Sequence, residues 1–88
     1  MADGARVVLY GTAFCGYCVA ARRLLKKKGV NFEDIRVSDG DTRRELAQRT
    51  GSNTVPQIFI NEEAIGGFDE LVALEEDGHL DALLAPAQ

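Results

Sequence analysis

The chain carries two cysteines, Cys15 and Cys18, and they stand two residues apart where an apolar run gives way to a helical pattern. No other feature limits its fold so tightly. Val7-Val8-Leu9-Tyr10 comes before the pair. A short, almost continuous apolar run suits a central strand buried on both faces. After the pair, the spacing predicts a helix from near Cys15 to about Lys28, with Val19, Ala20, Leu24 and Leu25 inward and Arg22, Arg23 and Lys26 in water. Lys26-Lys27-Lys28 meets the negative end of the helix dipole, and Gly29 is expected to end the helix. A strand feeding a helix places Cys15 at the helix N-terminus, where unpaired backbone N–H groups favour an anion. That is the setting a dithiol redox centre needs, since the thiolate is the nucleophile.

The remaining pattern builds an α/β sheet around that junction. Val30 to Val37 alternates apolar and polar residues, with a slip between Phe32 and Ile35, and is expected to be a strand. Ser38-Asp39-Gly40-Asp41 should turn the chain and cap a helix from about Thr42 to Arg49, which Gly51 ends. Ser52 and Asn53 read as loop, and Pro56 precedes a strand at Gln57 to Ile60. Asn61-Glu62-Glu63 and then Ala64-Ile65 complete a hairpin. Gly66-Gly67 breaks the chain before a helix opening at Phe68 or Asp69, and Asp77-Gly78 separates it from a last helical turn at His79 to Leu84. A βαβ unit followed by a hairpin and a helix predicts one four-stranded mixed sheet flanked by helices, with the first and third strands central. With 88 residues, a single domain spanning 1–88 is expected.

Charge and composition exclude several function classes. The net charge is −4, from 14 acidic and 10 basic residues, which is not the basic footprint of a nucleic-acid binder. No apolar run reaches membrane-spanning length. Met1-Ala2-Asp3-Gly4 has neither the basic nor the apolar region of a signal peptide, so a cytoplasmic location is expected. Cysteine pairs there are redox-active or metal-binding rather than structural. A closed zinc site needs four ligands, and beyond the two cysteines only His79 offers a softer donor, far along the chain. A pair of plain core cysteines is the other bland alternative, and the position at a helix start argues against it. Cys15 is therefore the expected nucleophile. Cys18, one turn further in and less exposed, is expected to donate to its thiolate and to resolve a mixed disulfide formed on it.

Three blocks add a family resemblance. Val8-Leu9-Tyr10 leading into Cys15-Gly16-Tyr17-Cys18, then Thr54-Val55-Pro56-Gln57-Ile58-Phe59-Ile60, then Ile65-Gly66-Gly67-Phe68-Asp69-Glu70-Leu71 occur in the order and at the spacings of a glutaredoxin. The resemblance implies a thioredoxin-like fold and a glutathione-dependent thiol–disulfide oxidoreductase. It implies a cis proline at Pro56 facing the cysteine pair, with the Val55 backbone free to pair with the cysteinyl part of glutathione. Thr54 belongs to the same block, and Tyr17 would shape the groove. Gly67, Phe68 and Asp69 would hold the γ-glutamyl end, its carboxylate at a helix N-terminus and its ammonium on Asp69. Arg43 would reach the glycine carboxylate, with Arg44 and Arg49 as near alternatives. Glutathione would be the co-substrate, and the partners would be glutathionylated or disulfide-containing proteins met by a monomer.

Two departures from the family pattern bear on function. A lysine common before the first cysteine is here Thr12, and the proline usual after it is Gly16. Some glutaredoxins with a small residue there hold a [2Fe–2S] cluster between two subunits, with glutathione thiolates completing the ligands. The resemblance therefore carries two readings: a reductase, and a cluster-binding dimer. A third, a thioredoxin-like reductase served by a flavin enzyme, shares the cysteine pair but has no need of the anion site at Gly67-Phe68-Asp69.

Overall fold

A computed structural model of the chain describes residues 5–52 and 54–84. Asn53 and the Met1-Ala2-Asp3-Gly4 segment, both read above, lie outside the described residues. The elements follow in the order β1 (Val7–Gly11), α1 (Gly16–Lys27), β2 (Phe32–Arg36), α2 (Gly40–Thr50), β3 (Gln57–Ile60), β4 (Glu63–Gly66), α3 (Phe68–Glu76) and α4 (His79–Leu84). One four-stranded sheet has the order β2-β1-β3-β4, so β1 and β3 are the central strands, as their composition predicts. β1 runs parallel to β2 and antiparallel to β3, and β3 runs antiparallel to β4, which makes the sheet mixed.

The two faces of the sheet follow from the strand period of two. Val7 and Leu9 of β1, with Ile58 and Ile60 of β3, join Ala21 and Leu25 of α1, Leu71 of α3, and Leu80 and Leu84 of α4 in the main core. The alternate residues face α2: Phe59, with Val8 and Tyr10 packed against it, meets Leu46 and Val37. β2 explains the slip in its sequence pattern. Phe32 registers with Val7 and Ile35 with Tyr10, so a spacing of three puts the two on opposite faces of an edge strand.

Helix ends are placed by local chemistry. Asp39 caps α2, its side chain accepting from the Thr42 N–H at 2.7 Å, and Gly51 ends the helix at a left-handed φ of 75°. Gly29 ends α1 with φ 75°. The hairpin turns on two residues, Asn61 and Glu62, both at positive φ, and Asn61 is held by an exchange of hydrogen bonds with the backbone of Arg6. Lys28 ties α1 to the C-terminal helices through Glu75 at 2.5 Å and Asp81 at 3.0 Å. Among the described residues, no helix is long and apolar enough to cross a membrane.

The inner stripe of α1 differs from the expected one. Its buried residues are Cys18, Ala21 and Leu25, while Val19 is 37% exposed. Arg22, expected in water, has a side chain only 15% exposed. Its Nε donates to Asp34 on β2 at 2.9 Å, and its Nη2 is buried without a hydrogen-bond partner. The long aliphatic stem lets arginine lie in the interface of α1 and β2 while a carboxylate meets its head.

Candidate active site

The cysteine pair sits at the C-terminal end of a central strand, on the first turn of the helix that follows. Cys15 is the N-cap of α1, with an extended backbone at φ −90° and ψ 120°. It is half-buried, Cys18 is fully buried, and both are free thiols. The Cys15 thiol is held below its ordinary range, first by the backbone N–H of Cys18, then by that residue's side chain, the N–H of Tyr17 and the charge of Arg22, against a smaller upward push from burial. Cys18 goes the other way. Burial raises it most, and the neighbouring Cys15 adds to the rise. The first cysteine is thus the readier thiolate, and the second keeps a proton that it can donate to the first.

A glycine lets Cys18 reach this place. Gly11, the last residue of β1, is buried, and a Cβ built on it would lie 2.8 Å from the Cys18 sulfur. Gly11 therefore sets how closely α1 approaches the sheet beneath the pair.

Beside the pair runs a groove of about 460 Å³. Tyr17 on the first turn of α1 and Phe68 on the first turn of α3 face each other along it, their rings 6.1 Å apart. Thr54, Val55 and Pro56 form another wall. The Val55–Pro56 bond is cis, and the Cys15 thiol donates to the Val55 carbonyl at 3.8 Å, which joins the nucleophile to the groove. Gly66, Gly67 and Asp69 close one end. Gly66 takes a φ of 117°, and a Cβ on Gly67 would stand 3.2 Å from the Pro56 carbonyl, so the chain there passes close under the cis proline. The Gly67 N–H is taken by the Glu70 carboxylate at 2.7 Å. Phe68 and Asp69 open α3, so their N–H groups have no intrahelical partner and can meet an anion.

The structure thus brings Tyr17, Thr54, Val55, Pro56, Gly67, Phe68 and Asp69 to one groove, with Cys15 at its edge. Arg43 lies exposed on α2 and is not among the lining residues. Arg44 pairs with Asp41 at 3.0 Å, and Arg49 stacks on Phe59 at 4.3 Å while donating to the Tyr10 hydroxyl. Three contributors were not singled out from the sequence. Gly11 reads as the first residue of a loop, Glu70 as one more helix acid, and Gln57 as an ordinary strand residue. Only Glu70 has a sequence signal, an acid three residues after the N-cap Gly67. No group of three or more His, Cys, Asp or Glu residues able to hold a metal occurs among the described residues.

A mixed four-stranded sheet with a Cys-x-x-Cys at the start of α1 defines a protein of thioredoxin-like fold with a redox-active centre. The glutaredoxin family model matches residues 7–65. The chain is 54% identical over 81 residues to a glutaredoxin of Pseudomonas aeruginosa, covering 90% of this chain and 95% of that protein. It is 46% identical over 82 residues to glutaredoxin 3 of Escherichia coli K12, covering 91% and 98%. Among solved structures, the glutaredoxin of Brucella melitensis superposes with a TM-score of 0.84 at 43% identity, over 94% of this chain and 91% of that one. The buckwheat glutaredoxin–glutathione complex superposes with a TM-score of 0.84 at 34% identity, over 91% and 76%. The chain belongs to the glutaredoxin family, whose members are thiol–disulfide oxidoreductases.

Proposed function

We propose that this chain is a glutathione-dependent reductase of protein–glutathione mixed disulfides and of protein disulfides. One observation carries the reading: a groove with a cysteine of lowered pKa at its edge leads past a cis proline to the first turn of α3, where the Phe68 and Asp69 N–H groups have no intrahelical partner. A thiol nucleophile and an anion-binding end, spaced by an extended backbone, suit a small acidic thiol peptide. The glutathione bound by the similar buckwheat protein supports the same ligand.

In this reading the Cys15 thiolate attacks the glutathione sulfur of a mixed disulfide. A Cys15–glutathione disulfide forms, and the substrate protein leaves as its thiolate, which takes a proton. A second glutathione thiolate then attacks the adduct, releasing oxidised glutathione and restoring Cys15. With a protein disulfide, Cys18 attacks the mixed disulfide on Cys15 instead, and the pair leaves oxidised. Two glutathione molecules reduce it again. Val55 pairs with the cysteinyl backbone, Thr54 and Pro56 fix that strand, Tyr17 walls it, and Gly67, Phe68 and Asp69 take the γ-glutamyl end. Arg43 is assigned to the glycine carboxylate. The chain works as a single domain and a monomer, in a cytoplasm whose glutathione pool keeps the pair reduced.

The test is a coupled assay with glutathione, glutathione reductase and NADPH on a glutathionylated peptide. The account expects NADPH consumption that Cys15→Ser abolishes. Turnover that survives the substitution would remove Cys15 as nucleophile, and a wild type without turnover would remove the reading itself.

One observation favours a second reading, a [2Fe–2S] dimer held by Cys15 of each copy and two glutathione thiolates. Gly16 is exposed, and nothing lies within 4 Å of where its Cβ would be, so the approach to Cys15 is open to a second copy. A cluster would make the chain a carrier rather than a reductant. Purification without oxygen, followed by visible absorption and gel filtration, separates the two: a colourless monomer in the presence of iron, sulfide and glutathione rules out the dimer.

A further inference from the structure

Among the described residues, Gln57 is the one buried polar side chain, 6% exposed. It stands on β3 directly after the cis proline, in register with Tyr10 of β1. Burying an amide is unfavourable unless its hydrogen bonds are made. An apolar residue of similar size would fill the position without that demand, so packing alone does not call for glutamine. The amide turns back along its own chain, Nε2 donating to the Thr54 carbonyl at 3.0 Å and to the Thr54 hydroxyl at 3.3 Å.

We propose that Gln57 is a positioning residue of the glutathione groove, acting through the Thr54–Val55 peptide. The inference rests on the glutathione reading above. A trans peptide is planar, with its C=O and N–H on opposite sides. Holding the Thr54 carbonyl against Gln57 therefore fixes the direction of the Val55 N–H, the group assigned to pair with glutathione.

Among the described residues, the other hydroxyl contacts of this loop run within the loop or back to the end of α2, not into the sheet. Thr50 Oγ1 donates within reach of the Leu46 and Ser52 carbonyls, and the Ser52 and Thr54 hydroxyls meet at 2.8 Å. None of these groups belongs to a strand, whereas the Gln57 side chain is anchored on β3. The Cys15 thiol holds the Val55 carbonyl, but only while it has a proton to donate. Once Cys15 is the thiolate, that restraint is lost, and among the described residues the Gln57 amide still links the loop to β3. Gln57 thus keeps the groove set in the form of the enzyme that reacts.

The test uses the full chain with Gln57→Met, which is apolar and close in length, and Gln57→Glu, which keeps the shape but has no donor when ionised. KM and kcat are measured on a glutathionylated peptide, beside the rate of Cys15 alkylation by iodoacetamide. The expected result is a KM raised roughly five- to ten-fold, the size of one lost hydrogen bond. The alkylation rate should stay within about two-fold of wild type, because iodoacetamide makes no use of glutathione's grip on Val55. If Gln57→Met does not fold, Gln57→Glu carries the test. A wild-type KM in the variants that fold would overturn the proposal, as would a fall in alkylation parallel to the rise in KM, which would reduce Gln57 to support of the fold. A wild type inactive on the peptide would sink the glutathione reading and this inference with it, whereas an active wild type with unaltered variants removes the inference alone.

Discussion

Gly11→Ala should loosen the seat of the cysteine pair. The added methyl would lie 2.8 Å from the Cys18 sulfur, 3.2 Å from the Cys18 Cβ and 3.2 Å from the Leu9 Cδ2. Ordinary contacts between such atoms are about 3.5–4.0 Å, so the sulfur contact is short by about 1 Å. Cys18 and Leu9 are both fully buried, and neither can swing into water. Overpacking of this kind costs about 1–3 kcal/mol, while replacing a strand glycine by alanine returns about 0.5–1 kcal/mol. The net expectation is a loss of about 1 kcal/mol, within a range of about 0–2.5 kcal/mol. In a chain of 88 residues that lowers Tm by roughly 4–8 °C for each kcal/mol. The assay is thermal or urea denaturation of the reduced protein, with the same substitution repeated on a Cys18→Ala background. Removing the sulfur removes the shortest contact, so Gly11→Ala should be at least half relieved there. A Gly11→Ala protein more stable than wild type, or an equal loss in both backgrounds, would refute the reasoning.

Three further expectations follow from the helix ends and the groove. Asp39 is held below the usual carboxylate range by the side chain and backbone N–H of Thr42. A depressed pKa stabilises the fold above the unfolded value of about 4 and is lost as pH falls through the folded one. Asp39→Ala should therefore lower Tm at neutral pH, with a gap from wild type that narrows once acid has protonated the carboxylate; a Tm gap unchanged by acid would count against the charged cap. Gly16 is the first residue of α1 with open space around it, the helix position at which proline is favoured. Gly16→Pro should raise stability by roughly 0.4–1 kcal/mol through the unfolded chain, and a lowered Tm would show that Gly16 has a backbone role. Asp69→Ala should raise KM for a glutathionylated peptide roughly ten-fold. An unchanged KM would leave Asp69 as a helix-end acid and nothing more.

The fold was legible in the sequence where one residue's neighbours along the chain decide its place. The apolar runs at β1 and β3 marked the central strands, and Asp39, Gly29 and Gly51 marked helix ends through their own backbone and side-chain chemistry. The phase of α1 differs from its hydrophobic pattern, which points to Val19 and Ala20, because the buried Cys18 fixes the inner stripe at Cys18, Ala21 and Leu25. The local pattern puts Arg22 in water because its partner, Asp34, comes from β2, and contacts of that range leave no local trace. The groove was legible as blocks of residues. Its supports were not: Gly11 matters through the distance between a strand and a helix, and Gln57 through a bond to Thr54 that depends on the bend at Pro56.

The step on which the proposed function turns is transfer of the glutathionyl group from a mixed disulfide to Cys15. Cys18→Ser removes the resolving thiol, so the adduct on Cys15 should persist when glutathione is withheld. Intact-protein mass spectrometry of this variant after exposure to a glutathionylated peptide reads the adduct, and proteolysis places it. The account predicts one added glutathionyl group, on Cys15, with an equal amount of free peptide thiol released. A variant that gains no mass, or that carries the substrate peptide on Cys15 in place of glutathione, would contradict it.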